Sequence, residues 1–164
     1  MSHRPTTPQP PGGPRRDQRT RVAAGRHVPE SFSDRHQWET VTKRILVIDD
    51  AIATLRLLEV ALGREGYEVV TEVDGTSGLA SCFEQTPDLI ILDIALPDLD
   101  GWEVLARLRE DDRTVDVPVL MMSAHDTDDI RGRADLTSAS AFIGKPFEPE
   151  HLRELAGRLL KSDD

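Results

Sequence analysis

Short aliphatic runs alternate with longer amphipathic stretches along most of this chain. An aliphatic run bounded by turn-forming residues is typical of a strand buried on both faces of a parallel sheet. Apolar residues that recur every three or four positions indicate a helix that packs on one side. The pattern predicts strands at 43–48, 67–71, 89–93, 117–124 and 140–144, and helices at 51–64, 74–85, 102–110, 126–137 and 149–161.

Strand and helix thus alternate five times, which predicts an α/β fold: a five-stranded parallel sheet with five helices distributed over both faces. The strand at 67–71 contains Glu68 and Thr71, which suggests an edge strand. The helix at 126–137 is rich in Asp and contains Gly132, so we expect it to be short or mobile.

The first predicted helix has apolar residues on two faces. The face expected to pack on the sheet contains Ile52, Leu55, Leu58, Glu59 and Leu62. Ala53, Leu57 and Val60 fall on the roughly opposite face. An outward apolar stripe is often a docking site for a partner, although scattered exposed leucines are also normal in soluble proteins.

Polar residues that could take part in catalysis or ligand binding occur where the predicted strands end. These residues are Asp49 and Asp50 after the first strand, Asp93 after the third, Ser123 after the fourth and Lys145 after the fifth. Because the carboxyl ends of parallel strands meet at one edge of a sheet, we expect these side chains to lie together. Taken singly, Asp50 could be a helix N-cap, Ser123 a strand end and Lys145 an ion-pair partner of Asp93.

Crowded carboxylates repel one another unless they share protons or bind a cation. A small all-oxygen set suits Mg²⁺, which binds one or two protein carboxylates together with water and phosphate oxygens. A lysine and a hydroxyl beside this set can stabilise an anion while a carboxylate attacks phosphorus. The combination therefore indicates phosphoryl transfer, which needs little beyond placement and charge compensation.

With 164 residues and 38% hydrophobic content, the chain is long enough for one aliphatic core of ordinary size. It has no run of about 18 apolar residues and no apolar N-terminal segment, so we expect no membrane insertion and a cytoplasmic location. The single cysteine, Cys82, has no Cys or His at metal-binding spacing and is interpreted as a packing residue.

Charge divides the chain into two parts. Residues 1–44 carry nine Lys and Arg against four Asp and Glu, whereas residues 45–164 carry 11 against 26. Six of the 11 prolines lie in residues 1–43, which we interpret as a disordered Pro/Arg-rich tail; a basic arm for nucleic acid is the alternative for this segment. The acidic remainder would repel phosphates, so we expect no direct nucleic-acid binding by it.

Several motifs together resemble the receiver domain of bacterial two-component response regulators, over about residues 44–161. Asp49-Asp50 resembles the acidic pair of that family, and Asp93 with the following Leu96-Pro97 and Asp100-Gly101 resembles its phospho-acceptor and loop. Ser123-Ala124 resembles its switch hydroxyl, and Lys145-Pro146-Phe147 its lysine segment. Residues 44–164 are therefore assigned to a receiver domain with the flavodoxin-like strand order 2-1-3-4-5.

The resemblance implies roles for individual residues. Asp93 would accept the phosphoryl group, and Asp50, Asp93 and the Ala95 backbone carbonyl would hold Mg²⁺, with Asp49 acting mainly through water. Ser123 would move toward the phosphate and Phe142 would turn inward behind it. The Lys145-Pro146 peptide would be cis, and Ala53, Leu57 and Val60 would face the phosphate donor.

At the level of function, the resemblance implies a single-domain response regulator rather than a conventional enzyme. It would take phosphate from a histidine kinase or phosphotransfer protein and signal to an unidentified protein target. A homodimer that forms on phosphorylation is compatible with this reading, and no single residue decides it. The alternatives are a scaffold that phosphate does not control and an aspartate-nucleophile phosphatase. The phosphatase chemistry resembles that of a family with a second Asp two residues after the nucleophile, and this chain has Ala95 at that position.

Overall fold

The computed structural model describes residues 41–124, 130 and 139–162, together with Pro8 and Gly12. The chain divides into two units, residues 1–39 and 40–164, and the fold described below is that of the second. The predicted tail at 1–43 lies almost entirely outside the described residues. Of the predicted helix at 126–137, only Ile130 is described, and it is buried.

The sheet has five parallel strands in the order β2-β1-β3-β4-β5, as predicted. The strands are β1 (Arg44–Ile48), β2 (Glu68–Glu72), β3 (Leu89–Asp93), β4 (Val119–Ser123) and β5 (Ala141–Gly144). Every residue of β3 and β4 is buried, which explains their uninterrupted aliphatic character. Strand β2 lies at an edge and is only half-buried, in agreement with its polar residues.

Four helices are present among the described residues, and their ends agree with the prediction to within two residues. They are α1 (Ile52–Gly63), α2 (Gly75–Glu84), α3 (Gly101–Glu110) and α4 (Pro149–Lys161). The Asp74 carboxylate caps α2 by accepting the Ser77 N–H at 2.7 Å. The Asp100 carboxylate does the same for α3 with the Glu103 N–H at 2.9 Å. Both caps satisfy amides that have no partner within the helix.

The helices cover both faces of the sheet. Side chains from α1 and α4 pack with alternate residues of β1, β3 and β4 on one face. Side chains from α2 and α3 pack with the remaining strand residues on the other face. None of the described helices is both long and apolar enough to cross a membrane.

Two positions differ from the predicted helix face of α1. Ile52 is 52% exposed because it begins α1 beyond the end of β1, where the sheet no longer covers the helix. Glu59 is exposed as well, so the buried stripe of α1 consists of Leu55, Leu58 and Leu62.

Cys82 should be unreactive in the folded protein. Its side chain is fully buried, and this burial raises the pKa of the thiol to about 12. Because the thiolate is the reactive form, we expect negligible labelling by a thiol reagent at pH 8 and one label per chain in denaturant. Rapid labelling of the native protein would contradict the packing role. The chain has one cysteine, so the measurement needs no background correction.

Candidate functional site

The sheet register brings the predicted site residues to one edge. Ile48 pairs with Leu92, so the residues that follow them, Asp49 and Asp93, lie side by side. Ser123 pairs with Gly144, the residue before Lys145, and the Lys145 N–H donates to the Ser123 carbonyl at 2.7 Å. The structure therefore places these four residues at the carboxyl ends of the strands, as we expected.

Lys145 connects two of the carboxylates. Its Nζ donates to Asp49 Oδ2 at 2.6 Å and to Asp93 Oδ2 at 2.9 Å. The Asp49 side chain is fully buried and the Asp93 side chain is 8% exposed, whereas that of Lys145 is 21% exposed. Desolvation alone would lower the pKa of Lys145, but the hydrogen bonds that Lys145 donates to Asp49 and Asp93, together with the attraction of their negative charges, outweigh it and raise that pKa above its usual value. Lys145 is thus a fixed positive charge at this site.

Asp49, Asp50 and Asp93 form an acidic cluster. One carboxylate oxygen of each lies within 4.8 Å of the others. Asp49 already accepts the Ala51 N–H at 2.8 Å through Oδ1, in addition to Lys145 through Oδ2. Asp50 is exposed, and it is not the N-cap of α1, because Ala51 occupies that position. Asp50 is therefore available to the cluster as an exposed carboxylate.

The donor set fits Mg²⁺. All the available ligands are oxygens, which a hard dication prefers, and three carboxylates against one ammonium leave net negative charge at the cluster. Asp50 and Asp93 offer the more accessible side chains, because Asp50 is exposed and Asp93 is 8% exposed, whereas Asp49 is fully buried. The expectation that Asp49 acts mainly through water stays a prediction.

The predicted switch residues lie on β4 and β5. Ser123 is 4% exposed at the end of β4. Phe142 is half-buried in β5, and its ring lies 5.9 Å from the ring of Trp102, with 39° between the planes. Trp102 is the second residue of α3, so an aromatic contact joins β5 to the helix that follows the acceptor loop. Movement of Ser123 and Phe142 stays a prediction.

The outward face of α1 is apolar. Leu57 is 44% exposed and Val60 is 53% exposed, and Ala53 is exposed beside them. Ile52, expected to be inward, extends this surface toward the acidic cluster. Exposure of these side chains is a requirement for docking, and the docking itself stays a prediction.

Two residues near the site have roles that the sequence did not indicate. The Asp98 carboxylate, in the loop between β3 and α3, accepts hydrogen bonds from the first amides of α2. At Gly101, a Cβ atom would lie 2.5 Å from the Asp93 carbonyl oxygen. Both contacts join segments that only folding brings together, so no local signal could have found them.

The chain belongs to the response regulator receiver domain family, whose family model matches residues 45–156. This assignment confirms the resemblance noted from the motifs, and it makes the chain a component of two-component signal transduction. The matched residues include the acidic cluster and all of the sheet except Arg44, the first residue of β1.

Curated relatives agree with the family. The chain is 42% identical over 123 residues to the DNA-binding dual master transcriptional regulator RpaA of Synechocystis, a match that spans 74% of this chain and 50% of RpaA. It is 40% identical over 108 residues to the response regulator PleD of Caulobacter vibrioides, across 66% of this chain and 24% of PleD. The chain thus spans half or less of the length of these relatives.

Solved structures are similar over nearly their whole length. The chemotaxis protein CheY4 of Vibrio cholerae superposes with a TM-score of 0.69 at 28% identity, covering 72% of this chain and 98% of CheY4. A CheY-like receiver domain protein from Methanospirillum hungatei gives 0.69 at 30% identity, covering 74% and 95%.

Proposed function

We propose that Asp93 accepts a phosphoryl group from a phosphohistidine on a histidine kinase or phosphotransfer protein. The observation that carries this proposal is the arrangement of Lys145, which binds Asp93 and the buried Asp49 at the same time. Such a lysine neutralises charge next to an attacking carboxylate without leaving the site. The three-carboxylate cluster supplies the remaining requirement, a place for a divalent cation.

In the proposed step, a carboxylate oxygen of Asp93 attacks phosphorus, and the bond between phosphorus and the histidine nitrogen of the donor breaks. The electron pair of that bond stays on the imidazole nitrogen, and the product is an acyl phosphate on Asp93. Lys145 then pairs with the new phosphate oxygens, and the Ser123 hydroxyl donates to one of them. Later attack by water on phosphorus would return the free carboxylate and inorganic phosphate.

Asp50, Asp93 and the Ala95 carbonyl would hold Mg²⁺, and Asp49 would orient a water bound to it. When bound, the ion compensates the negative charge that gathers as the phosphate enters the cluster. The chain's own contribution is to align Asp93, fix Lys145 and keep the acidic pair in place. It thereby catalyses its own modification and is not a conventional enzyme.

We further propose that phosphorylation acts through Ser123 and Phe142 on a protein-binding surface in the cytoplasm. Movement of Ser123 toward the phosphate would open space behind it, and the Phe142 ring would fill that space at the expense of its contact with Trp102. The output would be contact with a protein target or a second copy of the chain. The name of RpaA describes DNA binding by that protein; for the acidic residues 45–164 we expect none.

The proposal is tested by incubating the protein with Mg²⁺ and acetyl phosphate and measuring intact mass. We expect an adduct of one phosphoryl group in the wild type and none in Asp93→Asn. Asp112→Asn is the matched control, because Asp112 is an exposed carboxylate outside the cluster. An adduct that persists in Asp93→Asn would overturn the proposal. Steady release of phosphate from phosphomonoesters would favour a phosphatase. Absence of any adduct would favour a scaffold that phosphate does not control.

Charged residues on the outward face of α1 should block transfer from a protein donor. In Leu57→Glu or Val60→Glu, burial of the new carboxylate in the docked complex is unfavourable, so we expect phosphotransfer from a histidine kinase that phosphorylates the wild type to slow about tenfold or more. Phosphorylation by acetyl phosphate should be unchanged, since it needs no docking.

Val115→Glu is the control for this experiment, because Val115 is 40% exposed in the segment between α3 and β4. It should leave both rates unchanged. Equal loss of both rates in the α1 variants would indicate damage to the fold, and normal transfer from the kinase would show that the donor docks elsewhere.

A further inference from the structure

Asp98 bridges two loops at the edge of the sheet that carries the acidic cluster. Its Oδ1 accepts the Gly75 N–H at 2.8 Å, and its Oδ2 accepts the Thr76 N–H at 2.8 Å. The Thr76 hydroxyl donates to the same Oδ2 at 2.5 Å. Asp98 is thus bound by three donors at the N-terminus of α2, although it belongs to the loop between β3 and α3.

The N-terminus of α2 does not need Asp98 as its cap. Asp74 already fills that role through the Ser77 N–H. Asp98 instead binds amides that the first cap leaves without a partner inside the helix. The hydrogen bond from the Thr76 side chain, together with those from the backbone, lowers the pKa of Asp98 below its usual range, so the carboxylate is ionised at neutral pH.

Gly75 makes the bridge sterically feasible. A Cβ atom on Gly75 would lie 3.0 Å from Leu99 Cβ, 3.3 Å from Asp98 Oδ1 and 2.9 Å from a methyl carbon of Val104. Absence of a side chain at this position lets α2 approach the loop closely. Two independent features, a three-donor hydrogen-bond set and a missing Cβ atom, therefore serve the same contact.

The bridged loop is the one that begins at Asp93. Its start is fixed by the Ile94 N–H, which donates to the Met122 carbonyl at 3.0 Å. Its end is fixed by the Gly101 N–H, which donates to the Ile94 carbonyl at 2.7 Å. Ala95, between these points, is exposed and donates its N–H to Asp93 Oδ1 at 3.1 Å. Asp98 holds the middle of the loop through the hydrogen bonds that it accepts from Gly75 and Thr76.

We propose that Asp98 is a positioning residue for the cation site: its bridge to α2 holds the loop so that the Ala95 carbonyl and the Asp93 carboxylate converge on one ion. This inference rests on the proposed function, because it concerns the same cluster. Asp98 itself contacts neither the cluster nor the phosphate. Groups that orient metal ligands typically change metal affinity about tenfold or more when they are removed.

The test is a MgCl₂ titration followed by two-dimensional amide NMR, with Asp98→Ala compared against Asp74→Ala. Both variants remove a carboxylate that binds the first amides of α2, so both should lower the melting temperature to a similar extent. Only Asp98→Ala should weaken Mg²⁺ binding, by about tenfold. The amide signals of Ala95, Leu96 and Leu99 should broaden or shift in that variant before any Mg²⁺ is added.

Asp98→Asn retains one oxygen for one of the two amides and should give an intermediate Mg²⁺ affinity. Gly75→Ala keeps every hydrogen-bonding group but pushes the loop away, so it should also weaken Mg²⁺ binding. A wild-type affinity in Asp98→Ala, or an equal loss in Asp74→Ala, would overturn the inference while leaving the proposed function intact. Absence of Mg²⁺ binding by the wild type would overturn both.

Discussion

Replacement of Lys145 by methionine should slow phosphorylation of Asp93 by acetyl phosphate at least about a hundredfold while strengthening Mg²⁺ binding. The two effects have one origin. The Lys145 ammonium lies 2.6 Å from an Asp49 oxygen and 2.9 Å from an Asp93 oxygen. It is the positive charge that would pair with the phosphate oxygens. Before phosphate arrives, it competes with a cation for the same two carboxylates.

Removal of this ammonium leaves three carboxylates with no positive neighbour within the described part of the chain at hydrogen-bonding distance. Their mutual repulsion is then relieved by a dication, which is why Mg²⁺ should bind more tightly. Both quantities can be measured on the same samples, the rate by intact mass and the affinity by NMR titration. Lys161→Met, at an exposed position near the end of α4, should change neither.

In buffer without divalent cations, Lys145→Met should also lower the free energy of unfolding, by about 2 kcal/mol at neutral pH. Loss of one partner from a fully buried pair costs about 3–5 kcal/mol, and the partial exposure of Lys145 reduces that value. Because folding raises the pKa of Lys145, the wild-type advantage should persist at neutral pH and disappear as pH rises beyond 10.5. Mg²⁺ should restore much of the lost stability of the variant.

Weaker Mg²⁺ binding in Lys145→Met would contradict this description of the site, since it would mean that the lysine organises the carboxylates for the cation and does not compete with it. A phosphorylation rate equal to that of the wild type would remove the central support for the proposed chemistry.

Much of the fold could be predicted because the strands and helices carry strong local signals. The aliphatic run at 89–93 can be buried only if both faces of the sheet are covered, and β3 is buried at every residue. The location of the site followed from the same signals. Once five strands run parallel, residues such as Asp93 and Lys145 must share an edge, however far apart they are in the sequence.

The remaining features depend on distances between elements, which a hydrophobic pattern does not contain. Ile52 has the right helical spacing to be buried, but its exposure is set by where β1 ends relative to the first turn of α1. Asp98 and Thr76 are 22 residues apart and meet only because α2 and the acceptor loop flank β1 at the same edge. Within the acidic pair, Asp49 is buried and accepts a hydrogen bond from Lys145, 96 residues further along the chain, whereas Asp50 is exposed.

Gly101→Ala should destabilise the protein by about 2–3 kcal/mol and slow phosphorylation about tenfold. A Cβ atom at this position would lie 2.5 Å from the Asp93 carbonyl oxygen and 2.7 Å from Ile94 Cα. Both are backbone atoms at the end of β3, so relief requires movement of the strand end or of α3. Such a movement displaces the Asp93 carboxylate relative to Lys145, which links the loss of stability to the loss of reactivity.

The matched control is Gly157→Ala in α4, where a Cβ atom would meet nothing within 4 Å. Alanine is the better helix former, so this change should stabilise the protein by about 0.5–1 kcal/mol. Helix propensity alone would give the same sign at Gly101, the first residue of α3. Opposite signs in chemical denaturation would therefore isolate the contact with Asp93, and a stabilised Gly101→Ala variant with normal phosphorylation would show that the close approach is not needed.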